Sequence, residues 1–137
     1  MDIEYKGNEP QYMSQGAAGA DLMAKTDVVI EPQEQVMIDT GSYLSIPEGH
    51  FGLVCPRSSL CNKKGLHMVN SVGIIDSDYR GSVRLVYKNT SEDFIYISEG
   101  DRIGQIIIQP FVKASFVEVD SLENTDRGEG GFGSTGE

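Results

Sequence analysis

The chain has 137 residues, a formal net charge of −10 and 39% hydrophobic residues. This length suits one domain, and the acidic balance argues against sequence-independent binding to nucleic acid, because no basic stripe is present to displace counterions. No apolar run approaches the roughly 20 residues of a membrane span, and the N-terminus lacks a signal-peptide pattern, so we expect a cytoplasmic protein without a membrane partner. Sixteen glycines, no tryptophan and many β-branched residues favour an all-β chain.

The first half of the chain predicts short strands joined by turns. Residues 1–6 alternate like an edge strand, and apolar stretches follow at 28–30, 36–38, 43–46 and 51–55. The residues between these stretches are proline, glycine and polar types, which are typical of turns.

Small residues surround Asp21 in the stretch 17–24. They indicate either a tightly packed strand start or a point where another backbone approaches closely. The local sequence leaves both interpretations open.

The stretch 56–65 predicts one short helix. A proline suits the first turn, Ser58 and Ser59 can cap free amides, and a glycine stops the far end. The start of this helix, beside Arg57 and the two hydroxyls, suits a phosphate group. Helix ends of this kind are common, so an ordinary capped helix is the alternative.

Residues 73–81 place two acidic groups, an aromatic ring and a cation between two glycines. Such a stretch predicts a tight β-hairpin with polar groups at its tip, and the alternative is a solvated turn between strands. The preceding stretch, 66–72, has strand character but contains Asn70. A buried amide in a strand needs partners, and a nucleobase edge is one candidate among many.

The second half of the chain predicts strands at 82–89, 94–97, 102–111 and 114–119. The first of these alternates, and its apolar face holds Val83, Leu85 and Tyr87. The third has the pattern of a strand buried on both faces, interrupted by Gln105. This amide is either a cross-strand hydrogen bonder or a site residue.

The end of the chain is rich in glycine. Five glycines follow Arg127, and each would lose much backbone freedom on ordering. The segment is therefore either a disordered tail or a flap that folds over a ligand, with amides free to meet phosphates and Phe132 free to stack on a base. We interpret 1–126 as a β domain and 127–137 as a C-terminal arm.

Cysteine and histidine follow no regular pattern. Cys55 and Cys61 are six positions apart, and no partner repeats at metal-ligand spacing, so neither a disulfide framework nor a zinc site is indicated. We interpret both as buried or incidental thiols, and His50 and His67 as packing or surface residues.

About twelve short strands and one helix predict an all-β fold, a β-barrel or jelly-roll-like double sheet. Five motifs follow in order along it, namely AGADL at 18–22, PRSSL at 56–60, GIIDSDYRG at 73–81, GQII at 104–107 and RGEGGFGSTG at 127–136. With these motifs, nearly the whole chain resembles the homotrimeric dUTPases, the deoxyuridine 5′-triphosphate nucleotidohydrolases.

The resemblance implies a jelly-roll subunit, a homotrimer with shared active sites, and an arm of one subunit that closes a site formed by the others. It implies a dUTP diphosphatase that hydrolyses dUTP to dUMP and pyrophosphate, which limits uracil incorporation into DNA and supplies dUMP for thymidylate synthesis. Asp76 would be the general base that activates water for attack on the α-phosphorus. Mg²⁺ would be the cofactor, with Asp21 acting on it indirectly through water.

The resemblance also implies how the substrate is bound. Tyr79 would pack against the deoxyribose and exclude a 2′-hydroxyl, and uracil would be read by Asn70 and by the hairpin at Gly73 and Ile75. The residues expected at the phosphates are Arg57, Ser58, Ser59 and Gln105. Related chains often carry glycine at the position of Ser59. The arm is expected to contribute Arg127, Phe132, Gly133, Ser134 and Thr135 to the site. Phe132 would stack on uracil.

Two other functions compete with this one. A deoxycytidine triphosphate deaminase shares the fold, but it is expected to use a glutamate at the hairpin, where this chain has Asp76 and Asp78. A regulatory protein that keeps the fold would contact a protein partner instead, and it would not need Asp76, Arg57 and the arm all intact.

Overall fold

The computed structural model describes residues 1–134 and 136. These residues form ten strands and one short helix, Leu60–Lys64. The strands are β1 (Glu4–Gly7), β2 (Ala20–Met23), β3 (Val28–Ile30), β4 (Gln35–Ser45), β5 (His50–Cys55), β6 (Leu66–Met68), β7 (Gly73–Ile75), β8 (Ser82–Asn89), β9 (Ile95–Ile97) and β10 (Arg102–Pro110). No helix within the described residues is long and apolar enough to cross a membrane.

Two four-stranded antiparallel sheets make up most of the fold. One sheet has the order β1-β4-β8-β6 and the other the order β2-β10-β5-β7, while β3 and β9 form a separate pair. The core is one cluster of buried apolar side chains that both sheets supply, among them Leu22, Ile38, Leu85 and Ile106. This arrangement confirms the prediction of an all-β, jelly-roll-like double sheet.

The strands with the clearest patterns form as predicted. Strand β8 buries Val83, Leu85 and Tyr87 and exposes Arg84 between them, because alternate side chains point to opposite faces. Strand β10 buries the consecutive residues Ile103 and Gly104, so both of its faces are covered near its start.

Strand β4 is longer than the sequence predicts. The two strands expected at 36–38 and 43–46 are one strand, whose pairing with β8 is irregular between Asp39 and Tyr43. Gly41 has a φ of 67° there, and its N–H donates to Asp39 Oδ1 at 2.8 Å. The turn-like Thr40-Gly41 pair is therefore a β-bulge within a strand and not a connection between two strands.

The prediction of a tight hairpin at 73–81 is wrong. Strand β7 pairs with β5 in one sheet, whereas β8 pairs with β4 and β6 in the other. Residues 76–81, which we call the cross-sheet loop, therefore connect the two sheets. The loop begins with a turn in which the N–H of Tyr79 donates to the Asp76 carbonyl at 3.1 Å. Sequence reasoning finds this turn but not its strand partners, which are distant along the chain.

Two neighbouring predictions also need correction. The strand expected at 66–72 ends at Met68, and Asn70 lies in the following turn with its side chain exposed, so the interpretation as a buried strand amide is wrong. The helix expected at 56–65 has the bounds Leu60–Lys64 and π-helical geometry, and Ser59 makes no side-chain capping hydrogen bond. Gly65 ends it as predicted, in the left-handed conformation.

The final strand predicted at 114–119 is absent from the described residues. Beyond Pro110 the chain runs without strand pairing, and its apolar side chains are exposed, Phe116 at 95% and Leu122 at 84%. The β-type composition is present, but the segment pairs with no strand edge of its own chain. Composition alone therefore gives no strand here.

Candidate active site

Three side chains form a row across adjacent strands of one sheet. Gln105 of β10 lies opposite Asp21 of β2 on one side and opposite Cys55 of β5 on the other. Directly paired residues in antiparallel strands project from the same face. Motifs far apart in the sequence thus meet at one place because the strands pair in this order.

Asp21 binds two arginines. Its Oδ2 lies 3.8 Å from Arg57 Nε and 3.4 Å from Arg102 Nη1, and its side chain is only 12% exposed. We call these three residues the arginine–aspartate cluster. Two guanidinium groups beside one carboxylate leave one net positive charge on an acidic protein, which suits an anionic ligand.

Arg102 is a member of this cluster that lies outside all five sequence motifs. It lies three positions before Gln105, a separation that places two side chains on opposite faces of a regular strand. The pairing of β10 with β2 is irregular between Arg102 and Gly104, so the bulge there changes the alternation. No pattern in the sequence announces this bulge, although the glycine is a weak signal.

Gln105 is held in place on two sides. Its Nε2 donates to the Pro56 carbonyl at 3.4 Å. A Cβ at Gly19 would collide with the Gln105 amide and lie 3.1 Å from its Cβ. The close approach inferred from the small residues around Asp21 is therefore present. The Gln105 side chain packs against Gly19, and the backbone of Gln11 forms a bridge with that of Asp21. Gln105 is both a cross-strand hydrogen bonder and a neighbour of the cluster.

A buried phenol lies near the cluster. The Tyr87 hydroxyl donates to the Ile103 carbonyl, and the side chain is fully buried. Burial raises the pKa of Tyr87, because it penalises the phenolate, and the positive charge of Arg57 opposes part of this shift. Tyr87 therefore stays neutral and anchors the start of β10, next to Arg102.

Ser58 and Ser59 follow Arg57 at the start of the short helix. Ser58 is exposed and Ser59 half-buried, and the Leu60 N–H donates to the Arg57 carbonyl at 3.1 Å. The Ser59 side chain makes no capping bond, which leaves its hydroxyl available to another acceptor or donor.

The cross-sheet loop holds the second group of predicted residues. Tyr79 donates its hydroxyl hydrogen to the Ser82 carbonyl at 2.9 Å, and a Cβ at Gly81 would lie 2.6 Å from the Tyr79 ring. Glycine is therefore needed at 81 for the ring to lie flat across the backbone. The ring remains 41% exposed, and the Asp76 side chain is exposed beside it.

The residues expected to read uracil lie next to this loop. Gly73 and Ile75 belong to β7 and are half-buried, and they pair with Val54 and Gly52 of β5. A Cβ at Gly73 would lie 3.7 Å from Asn70 Nδ2, so the Asn70 amide reaches the backbone at the start of β7.

The arginine–aspartate cluster and the cross-sheet loop lie next to different residues of β5. Cys55 pairs with Gln105, whereas Gly52 pairs with Ile75, one residue before Asp76. Three residues of strand span about 10 Å, so the single chain separates the Asp76 loop from the arginine–aspartate cluster. Sequence reasoning predicts both groups but not this separation.

The C-terminal arm makes local turns. Arg127 Nε donates to the Gly130 carbonyl at 2.7 Å, and the Ser134 N–H donates to the Gly131 carbonyl at 3.0 Å. Phe132 and Gly133 are exposed, and Phe132 has a φ of 51°, a conformation that non-glycine residues rarely adopt. Thr135 lies outside the described residues.

Among the described residues, no group of three or more histidine, cysteine, aspartate or glutamate side chains is arranged to hold a metal ion. Both arginine contacts of Asp21 are to Oδ2, which leaves Oδ1 for water. Asp21 is the carboxylate of the cluster, and its Oδ1 is the atom that could reach an ion through water.

Comparison with known proteins gives a consistent result. The dUTPase family model matches residues 6–136. A deoxyuridine 5′-triphosphate nucleotidohydrolase of Finegoldia magna is 46% identical over 129 residues, 93% of this chain and 90% of that protein. One from Tropheryma whipplei is 41% identical over 138 residues, 99% of this chain and 94% of that protein.

Solved structures show the same fold. The Staphylococcus bacteriophage 80alpha dUTPase with dUpNHpp has a TM-score of 0.92 at 30% identity, covering 99% of both chains. The dUTPase of phage phi11 of S. aureus, a mutant described with a structural Mg(II) ion, has a TM-score of 0.84 at 25% identity, covering 90% of this chain and 100% of that chain. The chain described here belongs to the dUTPase family.

Proposed function

We propose that this protein hydrolyses dUTP to dUMP and pyrophosphate, which limits uracil incorporation into DNA and supplies dUMP for thymidylate synthesis. The observation that supports this most is the convergence of three family motifs, two on strands of one sheet and one directly after its strand β5. Asp21, Arg57 and Gln105 come from separate parts of the sequence and meet where a phosphate chain could bind. A member of the dUTPase family with this anion site has the parts that dUTP hydrolysis needs.

Asp76 is the general base in this proposal. Its exposed carboxylate can orient a water molecule and accept its proton during attack on the α-phosphorus. A carboxylate is a weak base, so most of the rate enhancement comes from positioning and from neutralising charge in the transition state.

The phosphates bind at Arg57, Gln105 and the serines that follow Arg57. Asp21 Oδ2 lies 3.8 Å from Arg57 Nε, so the ion pair keeps this cation near the site before substrate arrives. The free hydroxyls of Ser58 and Ser59 add hydrogen-bond donors for phosphate oxygens.

Sugar and base selection belongs to the cross-sheet loop and β7. The Tyr79 ring is fixed by its hydrogen bond to Ser82, so it presents a rigid surface to the deoxyribose and leaves no room for a 2′-hydroxyl. Asn70 and the backbone at Gly73 and Ile75 read the uracil edge. Once the base covers the Asn70 amide, a hydrogen-bonding group left there without a partner is costly, so cytosine is strongly disfavoured.

Magnesium is the proposed cofactor. Asp21 would hold it through a water on Oδ1, and the other ligands would be substrate oxygens and water. When bound, the ion neutralises charge that develops on the triphosphate.

The working form in this proposal is a homotrimer with shared sites. Along β5, the residue paired with Ile75, which precedes Asp76, lies about 10 Å from the residue paired with Gln105, which lies beside the cluster. Combining the loop of one copy with the cluster of another would bring base and phosphates together. The unpaired, apolar segment after Pro110 supports contacts between copies, because it exposes Phe116 and Leu122.

The arm completes the proposed site. Arg127 and Ser134 would hold the γ-phosphate, Thr135 and the Gly133 backbone would assist, and Phe132 would stack on uracil. The exposure of Phe132 and its strained backbone suit a residue that finds its contacts only on a ligand.

One assay tests this function against its nearest rival. Purified protein with Mg²⁺ should release pyrophosphate from dUTP and no ammonia from dCTP. Intact dUTP, or ammonia from dCTP, would refute the proposal. Sedimentation at working concentration should give three times the mass of the chain, and a stable monomer with full activity would exclude the shared site.

A further inference from the structure

A thiol and an imidazole face each other beside the proposed phosphate site. Cys61 lies in the short helix and His67 is the central residue of β6. Cys61 Sγ is 3.5 Å from Nδ1 and 4.0 Å from Nε2 of His67. The turn at Gly65 brings them together, although the sequence gives neither residue a partner.

Both groups are accessible to solvent. The side chain of His67 is exposed and that of Cys61 is half-buried. Cys55 is also half-buried, but no imidazole lies within hydrogen-bond distance of its sulfur among the described residues. The chain therefore contains a matched thiol without the same neighbour.

Positive charge surrounds the pair, although the whole protein is acidic. Lys63 and Lys64 occupy the last turn of the same helix. Lys88 is the direct cross-strand neighbour of His67. Nearby cations attract a negatively charged reagent over the short range that salt leaves unscreened.

We propose that Cys61 is a thiol–disulfide exchange site for an acidic low-molecular-weight disulfide, with His67 as the proton acceptor. The imidazole takes the thiol proton, and the Cys61 sulfur attacks one sulfur of the disulfide. A new S–S bond forms, the old one breaks, and the other half leaves as a thiolate. The small disulfide is the oxidant, so the electrons balance without a further reagent.

The adduct would lie close to the residues proposed to bind phosphate. Cys61 follows Ser59 by two positions, and the Leu60 N–H between them donates to the Arg57 carbonyl. A carboxylate-bearing group on Cys61 adds negative charge there and should weaken triphosphate binding. This consequence rests on the proposed function, whereas formation of the adduct does not.

Peptide mass mapping after treatment with oxidised glutathione tests the site. Trypsin cuts after Arg57 and Lys63, so Cys61 is recovered in the peptide 58–63, apart from Cys55. Cys61 in the folded protein should react about tenfold faster than Cys55, and faster than Cys61 in the urea-unfolded chain. Cystamine, a cationic disulfide, should show a smaller ratio of folded to unfolded rate.

His67→Gln provides the second readout, with circular dichroism to verify its fold. It should slow labelling of Cys61 about tenfold and leave Cys55 unchanged. Equal labelling of the two cysteines, or an unchanged Cys61 rate in the variant, would overturn the site.

The consequence for binding is measured separately. The glutathione adduct should raise KM for dUTP severalfold with a smaller change in kcat, and dithiothreitol should reverse it. An adduct with unchanged KM would overturn the effect on the substrate. Labelling is read by mass, so it decides the thiol site whether or not dUTP is hydrolysed.

Discussion

The arginine–aspartate cluster and the cross-sheet loop are built in different ways. The cluster rests on paired strands, its carboxylate is 12% exposed, and each charged group has a partner. The loop connects two sheets and its Asp76 is exposed. Its shape is fixed by a turn, by hydrogen bonds from Arg80 to the Ser77 and Tyr79 carbonyls, and by the Tyr79–Ser82 hydrogen bond.

This difference suggests that the cluster binds the ligand and that the loop takes part in the chemical step. Groups that bind a fixed negative charge benefit from being oriented in advance, because orientation then costs nothing when the ligand arrives. A group that transfers a proton must reach water, and a loop leaves it exposed. Changes to the loop and arm should therefore affect turnover, whereas changes beneath the cluster should affect stability.

The largest effect is expected for Asp76→Asn. The amide keeps the size of the side chain but cannot take a proton, so kcat should fall about 10³-fold or more while dUTP affinity changes little. Single-turnover kinetics and calorimetric titration measure the two quantities. Asp78→Asn, in the same loop and also exposed, is the matched control and should retain most activity. Comparable losses in both variants would contradict the assignment of Asp76 as base.

Deletion of residues 127–137 should have the next largest effect. Apart from one bond from the Gly128 N–H to Thr125 Oγ1, the arm's hydrogen bonds among the described residues lie within the arm itself, so its removal should leave the thermal midpoint almost unchanged. In the proposed mechanism Arg127 neutralises charge at the phosphates, so its loss with the arm should lower kcat about 10²-fold. Steady-state kinetics beside a melting curve separate the two. An unchanged kcat would remove the arm from the mechanism.

Gly104→Ala tests the packing of the strands beneath the arginine–aspartate cluster. A Cβ at this position would collide with the Leu85 side chain and lie 3.1 Å from the Cys55 carbonyl oxygen. Overpacking of this kind should cost about 2 kcal/mol of unfolding free energy, measured by urea denaturation. Gly16→Ala is the control, because no atom lies within 4 Å of that added methyl. Equal stability of both variants would contradict the tight packing beneath the cluster.

Tyr87→Phe should have the smallest effect. It removes the hydrogen bond to Ile103 and should cost about 1 kcal/mol at neutral pH. Because the pKa of Tyr87 is raised in the folded state, the protein keeps this stability below the ordinary tyrosine pKa of about 10. As pH rises above that value, the unfolded state loses the proton first and stability falls.

The pH dependence of the unfolding free energy tests whether the buried phenol is responsible. Wild type should lose stability above pH 10 more steeply than Tyr87→Phe, whereas Tyr96→Phe, at an exposed site, should follow wild type. Parallel curves for wild type and Tyr87→Phe would mean that the buried phenol does not contribute.

Local sequence predicts the elements whose patterns are local. The alternation of β8 and the apolar run of β10 locate both strands, because burial follows directly from side-chain period. It fails where pairing with distant strands decides the structure. The Thr40-Gly41 bulge, the placement of β7 and β8 in different sheets, and the unpaired 114–119 segment all depend on such partners.

The same limit applies to the candidate site. Motif residues such as Arg57 and Gln105 are predicted from composition and resemblance, and the sheet order brings them together. Arg102 reaches Asp21 through a bulge, and Cys61 meets His67 across a turn. Neither contact follows from residue type or spacing, because each is created by the fold.

The exposed apolar segment after Pro110 would make the stability of the protein depend on its concentration. Phe116 and Leu122 are exposed in the single chain. Burying each side chain against another copy would lower the free energy by about 1.5–3 kcal/mol. By mass action, that gain is available only above the concentration at which copies associate. For a three-membered assembly, dilution would therefore lower stability as well as occupancy of the complete site.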